Sequence, residues 1–178
     1  MIACLRRFAR ARSGLAALEF ALISPMMAFL LLGSVELIDA LGADRRTENV
    51  AASISDIVAR DTEITNAEVT GLWSAIDILM YPNSGATMDT RVTCVMINSA
   101  TDARVQWSEV HNGYSALASN SPVALPAEMM NPGTSVIMTE TTFHYTPPLN
   151  ILFGTSVGLS HTAYRRARLV DPIPRVAT

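Results

Sequence analysis

From Leu15 to Ile38 the chain is almost wholly apolar (LAALEFALISPMMAFLLLGSVELI), and its longest charge-free run is Phe20 to Val35. At ~1.5 Å per residue that run gives about 24 Å, short of a ~30 Å hydrocarbon core, whereas counting from Leu15 gives about 31 Å. The pattern therefore predicts a transmembrane helix over 15–38 with Glu19 inside or at the edge of the span. A carboxylate at the bilayer centre costs ~2.5–3.5 kcal/mol on insertion scales and less near an interface, so Glu19 either snorkels to the edge or has a partner. Pro25 removes one helical hydrogen bond, to the carbonyl of Ala21, and favours a kink, which membrane helices tolerate. Gly33 and Ser34 are small enough to let two helices approach closely.

Helical spacing continues beyond the span through Leu37, Leu41, Val50, Ile54, Ile57 and Val58, predicting an extension over 39–62 with Gly42 as its weak point. Asp56 and Arg60 stand four apart and can pair. Both a free spine and an amphipathic helix lying on its own domain satisfy this pattern. A second, short helix is expected after Thr65 or Asn66, with Glu68 in its first turn and Val69, Leu72, Trp73, Ile76 and Leu79 as its apolar set. Tyr81-Pro82-Asn83-Ser84-Gly85 ends it.

The rest has the texture of strands. Thr90–Asn98 is rich in β-branched residues, and Ala103–Val110 places Val105, Trp107 and Glu109 in alternation, so the two predict a hairpin. Residues 111–134 read as a long loop, with a short helix near Ala127–Met130 and the character of an interaction surface. Ser135–Tyr145 and Ser156–Arg168 are the clearest strands. They flank Pro147-Pro148 and the apolar piece Leu149–Phe153, and the second puts Val157, Leu159, His161, Ala163 and Arg165 on one face. Val170–Thr178 contains two prolines and reads as disordered. The expected architecture is α+β: a long N-terminal transmembrane helix extended into a spine and packed on a small antiparallel sheet of about four strands. In domain terms that is a basic leader at 1–14, a span at 15–38, a helix extension at 39–62, an α+β domain at 63–170 and a tail at 171–178.

Charge orients this arrangement. The chain has 178 residues and a formal net charge of −3, so nothing global points to nucleic acid. Arg6, Arg7, Arg10 and Arg12 crowd the first dozen residues, where there is no acid. The positive-inside bias puts the N-terminus in the cytoplasm and the C-terminal domain on the far side, which the resemblance given below would make the periplasm. A cleaved secretory signal has the same composition, and Ala40-Leu41-Gly42 offers it small residues. Against that, the apolar stretch exceeds the usual ~7–15-residue signal core.

The segment RSGLAALEF, residues 12–20, resembles the processing site of type IV pilin-like precursors, in which a prepilin peptidase cuts after the glycine and leaves the apolar helix attached. The closer resemblance is to the TadE-like minor pseudopilins of the tight-adherence (Flp, type IVb pilus) system. It rests on Gly14, Glu19-Phe20-Ala21, Pro25, Gly33 and Glu36, and in the C-terminal part on Phe143, Tyr145, Pro147 and Arg165 to Arg168. The resemblance implies cleavage after Gly14, Leu15 as the new N-terminus, and Glu19 as the recognition and assembly carboxylate. Pro25 reads equally as a bend that helps subunits pack or leave the bilayer and as a harmless kink. Cutting after Gly14 would remove the four arginines and create an α-amino group with a pKa of about 7.7–8.0, able to pair with Glu19 of the same or a neighbouring subunit. The implied partners are the prepilin peptidase, other pseudopilins and the major Flp pilin, the inner-membrane assembly platform and the lipid bilayer, with no nucleic acid. The implied place is the inner membrane, single-pass, in or at the base of the pilus. An anchored periplasmic scaffold that is never processed is the alternative, and an anchored hydrolase is a third.

The search for reaction chemistry returns little. His111, His144 and His161 share no ligand spacing with one another or with cysteine, and no P-loop, GxSxG, GxGxxG or HExxH occurs. No cofactor and no enzymatic activity are expected. Glu68, Asp77, Asp89 and Glu140 read as scattered surface carboxylates. Cys4 lies in the leader, so Cys94 would be alone in the processed chain, without an internal disulfide. It reads as a buried small hydrophobe, with pairing to another subunit as the alternative. The Arg165-Arg166-Arg168 cluster reads as a solvated face or as partners of local acids.

Overall fold

The structure, a computed structural model, describes residues 13–177 and the side chains from Gly14 onward; the basic leader residues Arg6, Arg7, Arg10 and Arg12, with Cys4, lie outside the described residues. Helix α1, Ser13–Ala59, runs 47 residues without interruption, through both Pro25 and Gly42. At ~1.5 Å per residue it is about 70 Å long. Helix α2 is Asn66–Met80, and four strands follow: β1 Asp89–Ile97, β2 Ala103–His111, β3 Ser135–Tyr145 and β4 Val157–Arg166. All neighbouring strands are antiparallel, in the order β2-β1-β3-β4. The fold is α+β, a long apolar N-terminal helix packed on a small four-stranded sheet.

Among the described residues, the fold buries α1 only from Gly33 onward. Glu36, Ala40, Ala43, Thr47, Val50, Ile54 and Val58 are all buried and recur every three or four residues, a stripe that lies on β3 and β4. The expected extension set is corrected here: Val50, Ile54 and Val58 do face the sheet, but Leu37, Leu41 and Ile57 are exposed. Small and polar side chains replace them because the helix sits close to the strands.

Helix α2 starts with a capping box. Glu68 N–H donates to Thr65 Oγ1 at 3.3 Å, and Thr65 N–H donates to Glu68 Oε2 at 2.6 Å, satisfying two N-terminal donors. Its buried set is Val69, Leu72, Ile76 and Met80, with Met80 in the place expected for Leu79. Gly85 then returns against the helix, its N–H donating to Asp77 Oδ1 at 2.8 Å.

The sheet buries both faces. The inner face, with Val92, Cys94, Ile137, Phe143 and Tyr145, meets α1 and α2. On the outer face Val95, Ile97, Ala103, Val136 and Met138 are covered by Leu117, Val123, Leu125, Met129 and Met130 of the 112–134 segment, which contains one short 3-10 helix, Ala127–Met129. That segment therefore supplies a lid for the sheet, and part of it bonds the start of β2 through Val105 N–H to Ser121 O and Val123 N–H to Ala103 O. The expected alternation of β2 is broken: Cys94 pairs with Trp107 but Val95 with Val105, leaving Gln106 as a bulge. The extra residue sends Ala103 to the outer cluster and Trp107 to the inner one.

The expected disordered tail is corrected as well. Ile173 is buried, Trp107 Nε1–H donates to its carbonyl at 2.8 Å, and Ile64 exchanges backbone bonds with Pro174 and Val176. Arg175 pairs with Glu109 at 2.7 Å. The two prolines make this segment extended, and its apolar residue and ion pair hold it on the core.

Candidate functional site

The residues singled out in sequence fall at two levels of α1. At its start, Gly14, Leu15 and Glu19 are all exposed, and a Cβ added at Gly14 would meet nothing within 4 Å. The Glu19 carboxylate makes no hydrogen bond or ion pair with the described residues. Pro25 lies inside the helix, two turns before the first protein contact. Leu18, Phe20, Leu22, Met26, Phe29 and Leu31 point outward on every side. This half is long and apolar enough to cross a membrane, and none of its most apolar window is buried by the fold.

Seventeen residues beyond Glu19, a second carboxylate is treated in the opposite way. Glu36 is fully buried, and its Oε2 accepts N–H bonds from Ile151 at 2.9 Å and Leu152 at 2.8 Å. Oε1 has no hydrogen-bond partner among the described residues. The donors are brought to it by the β3–β4 loop, which turns at Asn150 in the left-handed region, φ 53°. Gly33, one turn earlier, leaves room for the same loop: a Cβ there would lie 3.3 Å from Leu152 Cδ2. Further up, Tyr145 O–H donates to Asp39 Oδ2 at 2.9 Å and His161 Nε2 hydrogen-bonds Asp44 Oδ1 at 2.8 Å. Burial first, then the neighbouring Asp39 and Glu36 carboxylates, push the Tyr145 hydroxyl up to about 12. Glu36, Asp39 and Asp44 thus form a ladder that bolts α1 to β3, β4 and their loop. Sequence reading passed over it as a site; the signal available was Glu36 on the helical stripe of the buried Ala40 and Ala43, with Asp39 and Asp44 flanking those alanines.

The four scattered carboxylates each have a structural partner. Glu68 closes the capping box, Asp77 receives Gly85, Glu140 pairs with Arg91 at 2.7 Å, and Asp89 accepts from Gly113 N–H at 2.8 Å and meets His144 Nε2 at 2.9 Å. Burial pulls the Asp89 carboxyl upward. The bonds from His144 and Gly113, with the charge of the nearby histidines, outweigh it and hold the pKa below the usual value. Asp56 holds both Arg60 and Arg168, the latter at 2.6 Å. His111 stacks on Trp73 with ring centroids 5.2 Å apart. Among the described residues no group of three or more His, Cys, Asp or Glu is placed to hold a metal ion. Cys94 is buried and free.

The fold and this helix–sheet ladder define a class: a small α+β head carried on one N-terminal helix whose first half suits a single-pass membrane anchor. Residues 14–55 match the family model described as TadE-like protein, so the chain carries a TadE-like segment that begins at Gly14 and ends within α1. The match lies wholly within α1 and does not reach the sheet. No curated protein and no solved structure matches the chain.

Proposed function

We propose that the chain is a minor pseudopilin that assists assembly of tight-adherence pili, and that a prepilin peptidase cuts it after Gly14. The observation that carries this reading is the TadE-like match over α1 from Gly14, together with an exposed Glu19 five residues on. The N-terminus lies in the cytoplasm and the α+β head in the periplasm, as the leader arginines favour. The helix passes through the bilayer, and its uncovered apolar surface packs there on lipid or on the helices of other pseudopilins and the major pilin. Glu19 takes the charge of an α-amino group, its own or a neighbour's, which offsets the cost of a carboxylate in apolar surroundings.

N-terminal sequencing of the chain purified from its native host tests the cut. Leu15 is expected. Met1 in cells with active prepilin peptidase would refute the reading and favour an unprocessed periplasmic scaffold, and release near Gly42 or Ala43 would mean a secretory signal. Glu19→Ala is expected to reduce pilus assembly more than membrane insertion. Normal piliation in that variant would remove the role given to Glu19.

A further inference from the structure

We infer that the β3–β4 loop is a second membrane contact: Leu149 and Leu152 enter the outer boundary of the bilayer beside α1 and set the angle at which the head stands on the membrane. The inference rests on the membrane span proposed above.

Its height follows from the helix. A span starting at Leu15 reaches ~30 Å of hydrocarbon thickness at about Ser34 or Val35. Leu152 meets α1 at Gly33, and Ile151 and Leu152 are held at Glu36, so the loop stands level with the outer end of the span. Its composition suits that depth. No charged residue occurs from Tyr145 to Ser160. Leu149 and Leu152 are 45% and 43% exposed although they are large and apolar, and Leu152 shares one apolar groove with Phe29, Leu30, Gly33, Ser34 and Leu37 of the helix. That groove continues directly into the lipid-facing surface of α1, so lipid is its occupant by continuity.

The arrangement also accounts for Glu36. A carboxylate this close to hydrocarbon is expensive unless it is covered and hydrogen-bonded. The loop does both, with two backbone donors that would themselves need partners at that depth. Because α1 is bolted to the sheet, head and helix tilt as one body, and two leucines resting on the bilayer restrict that tilt.

The test uses the full chain, with Cys4→Ser and Cys94→Ala, in phosphatidylcholine–phosphatidylglycerol vesicles. An environment-sensitive NBD fluorophore is attached in turn to Leu152→Cys, Leu149→Cys, Leu22→Cys and Ala118→Cys. Quenching is measured with lipids carrying a nitroxide high or low on the acyl chain. The label at 152 is expected to lose most of its emission to the shallow nitroxide and little to the deep one, and the label at 149 to behave alike. The label at 22 should respond to the deep nitroxide and that at 118 to neither. If 22 is quenched while 149 and 152 behave like 118, the loop inference fails and the membrane span stands. If 22 is not quenched either, both fail. Shielding at 152 that grows with the protein-to-lipid ratio, without lipid quenching, would mean that a second copy covers the loop and would overturn the proposal.

Discussion

Replacing Glu36 by Ala removes the acceptor for two backbone donors at once. The bonds to Ile151 N–H and Leu152 N–H are 2.9 and 2.8 Å long and end on the same buried oxygen. Hydrogen bonds to a charged group contribute about 1.5–3 kcal/mol each, giving an upper bound of ~3–6 kcal/mol for the pair. Burying the carboxylate costs several kcal/mol in the other direction, a cost that alanine no longer bears. What alanine does bear is two closed-state amides without a partner, at about 1–3 kcal/mol each unless the loop opens. The balance puts loop opening about 2–3 kcal/mol closer to the closed state, and at ~1.4 kcal/mol per factor of ten this speeds exchange roughly 30- to 150-fold. Hydrogen–deuterium exchange of the peptide covering 149–153, on the full chain in lipid nanodiscs, reads this directly, with β1 as the unchanged internal reference. Glu36→Gln retains one carbonyl acceptor without charge and should fall between wild type and Glu36→Ala, since neutral bonds are roughly half as strong. Exchange at 149–153 that is the same in Glu36→Ala as in wild type would show that packing alone holds the loop, and the role assigned to Glu36 would be wrong.

Four further outcomes follow from the head. A Cβ at Gly85 would stand 2.9 Å from the backbone of Asp77 and Ile76, which cannot move aside without deforming α2, so Gly85→Ala should lower stability by about 1–3 kcal/mol in detergent-solubilised unfolding; a neutral effect would contradict the close approach. Burial pushes the Cys94 thiol from 9.0 up to about 11, so the native state keeps a proton that the unfolded state loses, and stability should fall as pH rises between those values. In a Cys4→Ser chain, N-ethylmaleimide should label Cys94 at neutral pH only after unfolding, and fast labelling of the native chain would refute its burial. Asp89 has a lowered folded pKa, so its contribution is present above the unfolded value near 3.8 and is lost as pH falls through the folded one. The difference in urea midpoint between wild type and Asp89→Asn should therefore be larger at pH 6 than below pH 3, and a gap that does not narrow in acid would refute the stabilisation assigned to the Asp89 carboxylate by His144 and Gly113.

The strands were legible because β-branched runs with turn residues between them report local preference, and α2 was legible because Thr65 and Glu68 form its cap within four residues of sequence. The missed features depend on partners distant in sequence. Nothing local marks Gln106 as a bulge; the extra residue is needed because β2 must give Ala103 to the outer face and Trp107 to the inner one. The tail looked disordered from its prolines, but Ile173 is held by Trp107, 66 residues earlier. The buried face of α1 was misjudged by hydrophobicity, because close packing selects Ala40, Ala43 and Thr47 over Leu37 and Leu41. Gly14, Leu15 and Glu19 stood out in sequence for the opposite reason: all three are exposed among the described residues, and their pattern is all there is to read.

Two of the three glutamates of α1, Glu19 and Glu36, meet opposite surroundings. Both sit in or beside an apolar stretch where an unpaired carboxylate is costly. The fold resolves that cost at Glu36 with backbone donors from its own loop, and at that point the helix becomes part of the head. At Glu19 the described residues supply nothing, and the side chain stays exposed among apolar neighbours. Under the proposed function that carboxylate is met by an α-amino group, exposed by cleavage or brought by another subunit. Glu36 is thus a fastening within the molecule, Glu19 faces away from it, and most of the ~25 Å of helix between them presents apolar surface that the described residues leave uncovered.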